Sequence, residues 1–439
     1  MRIPARRVRA LGRAAALAGC TTLALALTAP TPATALGTGG GHDPARRTLP
    51  AGDGWASADG GTTGGAAADA AHVYTVTTWE EFRAALAADG DAPRIVRVVG
   101  TLDATASGCG AFEAPGYDFD RYLADYDPAV WGRDKEVSGP QEELRAASAK
   151  NQDRAIKAFV PSRTTIIGVG RNAGIVGGSL QIKDADDVIV RNLTLESPLD
   201  CFPQWDPTDG ATGAWNSEYD AMVVYGSTHV WIDHNTFTDG RHPDSSLARH
   251  YGELYQRHDG LLDIVRGADL VTASWNVFAD HDKTLMIGNS DGAGATDRGR
   301  LRVTLHHNLF DEVVERAPRV RFGKVDAYNN HHVVPERGYG YSWGVGAESQ
   351  LVAEWNSVRL PRGVRAGTVL KKWKEAPVTV AGNVVNGRPV DLLAVHNAQF
   401  PDEALASGAG WTPTLRTRVD DPRVLPWLLT HRAGAGRAR

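Results

Sequence analysis

The segments VWIDHNTF (Val230–Phe237), VTASWNVF (Val271–Phe278) and VTLHHNLF (Val303–Phe310) read as one pattern written three times. Each begins with Val, carries an apolar residue at its third place and Asn at its sixth. Four further segments share the third-place and sixth-place residues: DVIVRNLT from Asp187, VDAYNNHH from Val325, LVAEWNSV from Leu351 and VTVAGNVV from Val378. The asparagines are Asn192, Asn235, Asn276, Asn308, Asn330, Asn356 and Asn383, at spacings of 22 to 43 residues. Short alternating strands recurring at such a period mark a solenoid, whose repeats bury their apolar faces only against their neighbours. No helix-length apolar pattern separates them, which argues against leucine-rich repeats and βαβ units. The fold class is therefore all-β, a parallel β-helix in which each coil adds strands to the sheets below. The asparagines are expected to stack as a ladder at a bend, donating to carbonyls that the bend leaves unpaired. Insertions within the longer coils should project from one face and build a site.

Working outward from the repeat, TVTTWEEFRAAL (Thr75–Leu86) carries a helix start. Thr78 and Glu81 form the capping-box pattern, and a short helix should follow to about Leu86. That helix is expected to cap one end of the solenoid, and the Trp-bearing tail from Trp411 to Leu429 the other. RIVRVVGTL (Arg94–Leu102) reads as a strand, and residues 109–151 read as irregular. By composition, Gly52–Ala71 is a flexible linker. The N-terminus has the form of an export signal: Arg2, Arg6, Arg7, Arg9 and Arg13, an apolar run over Ala14–Leu27, then small residues ending at Ala35. Arg6-Arg7 also permits a twin-arginine route. We expect residues 1–35 as the signal, 36–51 as a flexible segment, 52–430 as one domain and 431–439 as a disordered tail. A secreted, extracellular monomer that does not sit in a membrane after signal cleavage is expected.

The chain has 439 residues and a formal charge of −5, so its field as a whole does not favour nucleic acid. Removing the signal takes Cys20 and leaves Cys109 and Cys201, which in an exported chain suggests one disulfide, with two buried free thiols as the alternative.

Four constellations could carry chemistry. Glu218 and Asp220 precede one repeat strand; Asp259 and Asp263 precede the next at a similar phase. Carboxylates converging from adjacent coils repel unless a cation sits among them, and hard oxygen ligands suit calcium; solvated loop acids are the other reading. Lys283, in ADHDKTLMIG, reads as a surface lysine paired with Asp280 or Asp282. Arg316, Arg319 and Arg321 cluster around Pro318, and in an extended chain Arg319 and Arg321 share a face. They either pair with acids such as Glu315 or clamp an anionic ligand, since guanidinium matches carboxylate geometry. The histidines of WIDHN, LHHN and NNHH fall on the repeat and read as stacking groups rather than zinc ligands.

Taken together, TTIIGVG, WDPTDG, WNSEYD, VWIDHNTFTDG, DGLLDI, VTASWNVFADHDKTLMIG and RVTLHHNLFDEVVERAPRVRFGKVDAYNN resemble the pectate lyase family of polysaccharide lyases over roughly Gly52–Asn383. The resemblance draws the Gly-rich stretch into the domain and implies a right-handed β-helix. It implies that Asp220, Asp259 and Asp263 hold Ca2+, with Glu218 an additional candidate ligand. It implies that Arg316 is the catalytic base and that Lys283 and Arg321 bind substrate carboxylates. Trp231, Asp233 and His234 are similar to a family signature away from the cleft and read as structural. Val265-Arg266 stands where some members have Lys. Arg319 is then expected to be a supporting ion-pair partner. The implied activity is calcium-assisted β-elimination of polygalacturonate, an anionic polysaccharide. Competing expectations are a hydrolase using paired carboxylates, a pectin lyase acting on methylated polymer, and a non-catalytic carbohydrate-binding β-helix.

Overall fold

The repeat segments fold as pairs of short strands hinged at a bend: Thr228–Asp233 with Thr236–Thr238, Asp269–Ser274 with Val277–Ala279, and Val303–His306 with Leu309–Asp311. The computed structural model describes residues 43–88 and 90–438; the expected export signal lies outside them. Each strand pairs in parallel with its counterpart one coil away, within an 18-stranded sheet. A second sheet of eight parallel strands closes the other side of the coils, from Lys157–Phe159 through Met222–Tyr225, Leu262–Val265, Leu285–Ile287 and Arg319–Val320 to Leu370–Lys372. This is the parallel β-helix expected from the repeat.

Stacking follows from register. Ile232, Ala273, Leu305, Ala327 and Ala353 occupy one column and are all buried. Phe237, Phe278, Phe310 and His332 stack in another at centroid spacings of 4.9, 5.1 and 4.8 Å. His332 thus serves as an aromatic plate, as the repeat suggested, and burial pushes its pKa down to about 3. An unfolded histidine titrates near 6.5. The unfolded chain therefore binds the extra proton between those values, and stability falls as pH drops through that window. His332→Phe should accordingly narrow the loss of stability between pH 7.5 and pH 5 by about 2 kcal/mol, read from denaturant midpoints at the two pH values.

The ladder is built from six asparagines rather than seven. Nδ2 of Asn235, Asn276, Asn308, Asn330, Asn356 and Asn383 donates to the carbonyls of Val190, Ile232, Ala273, Leu305, Ala327 and Ala353, at 2.9 to 3.0 Å. Each side-chain oxygen from Asn276 onward accepts the backbone N–H of the asparagine one coil before, for example Asn235 N–H at 2.9 Å. Asn192 sits one place earlier, in register with His234, because Val188 pairs with Val230. That place is the left-handed residue of the bend: φ is 61° at Asn192, 53° at His234, 56° at Trp275, 54° at His307 and 52° at Asn329. Asn tolerates this conformation, so the same residue type fits both seats.

Trp231 and Asp233 of the WIDH stretch lie on the 18-stranded sheet and His234 at the bend that follows. Arg191 Nη2 meets Asp233 Oδ2 at 2.6 Å with both side chains almost fully buried, His234 Nδ1 lies 2.8 Å from Oδ1, and the Trp231 ring lies under the guanidinium. Removing one partner of a buried pair strands the other charge. Asp233→Ala should cost about 3–5 kcal/mol of stability, measured by denaturant unfolding.

Several expectations need correction. The helix Trp79–Ala87 has its capping box and packs on the first coils. The opposite end, however, is covered by the helix Leu392–Gln399, whose Gln399 accepts from Gly367 N–H at 2.9 Å. The tail instead runs back along the coils: Trp411 Nε1 donates to the Gln350 carbonyl, and Gly436 N–H to Asn192 Oδ1, both at 2.8 Å. Residues 431–438 are therefore packed rather than disordered. The described part of the segment expected to be flexible, residues 43–51, buries Ala45 and Leu49. Residues 109–151 are largely helical, through Phe119–Asp125, Pro128–Trp131 and Pro140–Ile156. Cys109 and Cys201 form a disulfide with Cα atoms 5.5 Å apart, which fastens this helical excursion to the loop 197–221. Among the described residues, no helix is long and apolar enough to cross a membrane.

Candidate active site

Connections that lead from the 18-stranded sheet into the eight-stranded one carry the candidate residues. Asp220 ends the connection before Met222–Tyr225, and Asp259 nearly ends the one before Leu262–Val265, the strand that contains Asp263. Parallel register sets Met222 beside Leu262 and Val223 beside Asp263. The corresponding phases read from the repeat therefore bring the three acids to one place. Gly260 marks the point of convergence. Its N–H donates to Asp220 Oδ1 at 2.7 Å, and a Cβ there would lie 2.5 Å from Asp220 Oδ1 and 3.1 Å from Asp263 Oδ1. Burial and the neighbouring carboxylates push Asp220 well above the usual carboxylate range, and Asp263 up to about 7. This is the signature of converging anions without enough positive charge among them. A cradle that only glycine fits, lined by hard oxygen donors with excess negative charge, suits a calcium ion. Glu218, the additional candidate ligand, stands two residues before Asp220 and is exposed. Its N–H donates to Asp200 Oδ2 at 3.2 Å, and its charge acts on Asp200, Tyr219 and Arg145.

Lys283 precedes the next strand, Leu285–Ile287, and Nζ reaches Asp259 Oδ1 at 3.2 Å. Its partner is an acid one coil away rather than Asp280 or Asp282, its sequence neighbours. Arg316 follows one coil on, with φ of 60° and its carbonyl accepting Leu285 N–H at 2.7 Å. Nε of Arg316 lies 2.9 Å from Glu315 Oε1. Burial alone would lower its proton affinity, but Glu315, Tyr341 and Asp263 carry it above the ordinary arginine value. The acids around Arg316 thus outweigh its burial.

Arg319 belongs to the two-residue strand Arg319–Val320 and Arg321 lies in the bend just after it, rather than both in one extended strand, and the ion pair expected of Arg319 is not there. Arg321 is the ion-paired one: Nε meets Asp291 Oδ1 at 2.7 Å, and Nη1 donates to the Gly288 carbonyl at 2.8 Å. Arg319 has no carboxylate within ion-pair distance among the described residues and lies instead over the Trp373 ring, 4.0 Å from its centroid. Burial, then Arg321, lower its proton affinity. Arg266 occupies a left-handed turn at φ 56° just beyond the strand Leu262–Val265.

Sequence reasoning missed the support beneath Asp259. His281 Nδ1 lies 2.6 Å from Asp239 Oδ1, and Nε2 lies 2.8 Å from the Asp259 carbonyl. Both ring nitrogens face acceptors, so both carry protons and the ring is an imidazolium. Asp239 and His281 stand 42 residues apart, and only the coil geometry joins them. Asp239, Asp244 and His258 each offer a ligand atom within 4.8 Å of the others. Yet His258 Nε2 faces the His242 carbonyl at 2.8 Å, while Nδ1 faces Ser197 Oγ at 2.7 Å and the Pro198 carbonyl at 3.1 Å. Nε2 therefore donates its N–H to a carbonyl and Nδ1 is engaged by Ser197 and Pro198, so the ring is taken up in hydrogen bonding rather than in holding a metal.

Known proteins resemble the chain over most of its length. A family model described as pectate lyase matches residues 34–113 and 136–400. A pectate lyase of Bacillus subtilis is 40% identical over 406 residues, covering 90% of this chain and 94% of the relative. Pectate lyase E of Dickeya chrysanthemi is 37% identical over 372 residues, covering 81% and 82%. Among solved structures, a thermostable pectate lyase superposes with a TM-score of 0.87 at 41% identity, over 90% of this chain and 100% of that one. A pectate lyase bound to a hexasaccharide gives 0.85 at 39% identity, over 90% and 100%.

Proposed function

Because this chain belongs to the pectate lyase family, we propose that it is a secreted lyase cleaving α-1,4-polygalacturonate by calcium-assisted β-elimination. The observation that carries the reading is the juxtaposition of the Asp220, Asp259 and Asp263 cradle with Lys283 and Arg316 on the next coils. A hydrolase would need an acid and a base carboxylate across a sugar. Here the acids converge on one point and a basic group stands opposite. The export-type N-terminus and the Cys109–Cys201 bridge support an extracellular setting.

The substrate's C5 proton lies α to a carboxylate, so its removal leaves charge that delocalises into that group. Bound among the three aspartates, calcium would supply Lewis-acid polarisation of the carboxylate. Lys283 adds a fixed positive charge at the same point. Arg316 is the base: its guanidine takes the C5 proton, and the freed electron pair becomes the C4–C5 double bond. The C4–O bond breaks, and the glycosidic oxygen leaves with its electrons and is protonated from water. Glu315 holds Nε of Arg316, which fixes the guanidine plane. Arg321, with Nε and Nη1 already engaged, can offer Nη2 to a substrate carboxylate.

Ultraviolet absorbance of polygalacturonate with the purified protein at alkaline pH tests the reading. A rise that depends on calcium and stops with chelator reports the conjugated double bond. New reducing ends without absorbance would mean a hydrolase. Activity confined to methylated polymer and indifferent to chelator would mean a pectin lyase, and binding without either signal a carbohydrate-binding module.

A further inference from the structure

We propose that Arg319, seated on Trp373, is an additional carboxylate-binding position of the groove, three coils beyond the Asp263 carboxylate and separate from the bond that breaks. The proposal rests on the polygalacturonate reading and extends it to a subsite.

The cations along this face are otherwise matched. Lys283 has Asp259, Arg316 has Glu315, Arg321 has Asp291, Lys371 has Glu403 and Lys374 has Asp291, each within 4.0 Å. Arg319 alone among them has no carboxylate partner in the described residues, and its Nε is buried without a hydrogen-bond acceptor. A half-buried guanidinium carries a fork of donors that bulk water satisfies poorly, and a carboxylate matches that fork.

The fold builds this arrangement deliberately. Asp263, Met286, Arg319, Gly344 and Lys371 form one column of the eight-stranded sheet, on successive coils. At Gly344 a Cβ would lie 2.8 Å from the Tyr341 ring and 3.1 Å from Arg319 Cγ; at Gly346 it would lie 2.9 Å from Arg321 Cγ. These two glycines clear one coil, so the Arg319 side chain lies across it and reaches Trp373 on the coil beyond. The seat is then about three coils from Asp263, or roughly 14 Å at ~4.8 Å per coil. Trp373 remains 40% exposed. It acts as a positioning residue, holding the guanidinium by cation–π attraction without neutralising it, as an aspartate or glutamate would. A polymer with a carboxylate on every sugar would place one of them there, and a methyl ester at that sugar would be disfavoured.

The test compares wild type, Arg319→Ala, Arg319→Lys, Trp373→Ala and Trp373→Phe on polygalacturonate and on saturated oligogalacturonates of increasing length, followed by unsaturated product. Arg319→Ala should lower kcat/KM on polymer by about 10- to 30-fold, mostly through KM, and leave the shortest cleaved oligomer within about twofold. Trp373→Ala should show the same length dependence and Trp373→Phe should retain most activity. Arg319→Lys should fall between, since it keeps charge but loses the fork. Thermal midpoints of the variants identify any that misfold, and Arg319→Lys and Trp373→Phe keep the comparison valid if the alanine variants do. Equal losses at every length, or none at any length, overturn the seat. A wild-type protein that forms no unsaturated product overturns the functional reading itself, so the two failures are distinct.

Discussion

On replacement of Arg316 by lysine, kcat on polygalacturonate falls by roughly 10^3-fold or more, while KM changes by less than about threefold, because general-base catalysis contributes on the order of 10^2 to 10^4. The reason is geometric before it is electrostatic. Arg316 has one guanidine nitrogen tied to Glu315 at 2.9 Å and two more free to face the substrate. Lysine has one nitrogen and cannot occupy both positions. Full activity in the lysine variant would eliminate the arginine as base. The same contact sets the pH dependence. Glu315, Tyr341 and Asp263 hold the Arg316 proton above the ordinary arginine value, against burial, so only a small neutral fraction exists at neutral pH. The rate should therefore climb with pH, close to tenfold per unit on the limb controlled by this group. Glu315→Gln removes an anion that favours the protonated form and should move that limb to lower pH in the same assay.

How far the sequence could be read depended on whether a residue's partner lay within its own coil or on another. The solenoid was legible because a stacked asparagine must be asparagine: only that short amide both accepts from and donates to the backbone of the coil before it, as Asn276 does with Asn235 N–H and the Ile232 carbonyl. Asn192 was misread because the left-handed seat one residue earlier also favours Asn, and a slip of one leaves the local pattern intact. The helix Pro140–Ile156 was missed because its packed face is polar. Gln141, Arg145, Ser148 and Gln152 are buried there, so no apolar stripe of period 3.6 exists to be seen. At the site, the carboxylates were legible from their phase on adjacent coils. Lys283 was given sequence neighbours as partners, but in a β-helix the nearer acid is one coil away. The ion pair was assigned to Arg319 rather than to Arg321, because the acid that Arg321 meets, Asp291, comes from the insertion 288–302.

Gly260→Ala lowers calcium affinity by at least about 30-fold while leaving the fold in place. Gly260 has no left-handed backbone angle, so alanine meets no conformational strain there. What it meets is Asp220 Oδ1 at 2.5 Å and Asp263 Oδ1 at 3.1 Å. Those oxygens must retreat, and a hard cation loses the convergence it needs. Isothermal titration with calcium should show the loss directly. The thermal midpoint in chelator should stay within a few degrees of wild type, since the change relieves no cavity and breaks no ladder. An unchanged calcium affinity would overturn the assignment of this cradle. In the wild type the acids also fix how binding depends on pH. Burial and the neighbouring Asp259 push the folded-state pKa of Asp263 up to about 7, from the ordinary 3.8 of an Asp. The folded chain therefore binds more protons than the unfolded one across that window, and without calcium its stability falls as pH rises from about 4 to about 7. Calcium must displace those protons, so its affinity should increase through the same range and level off above it. At 100-fold excess over Kd, mass action adds about 2.7 kcal/mol. At a fixed calcium concentration the thermal shift should therefore be larger above pH 7 than at pH 5 in wild type, and small at both in Gly260→Ala. A shift equal at the two pH values would place the ion elsewhere, since a site free of raised carboxylates releases no protons on binding and its affinity stays flat over this range.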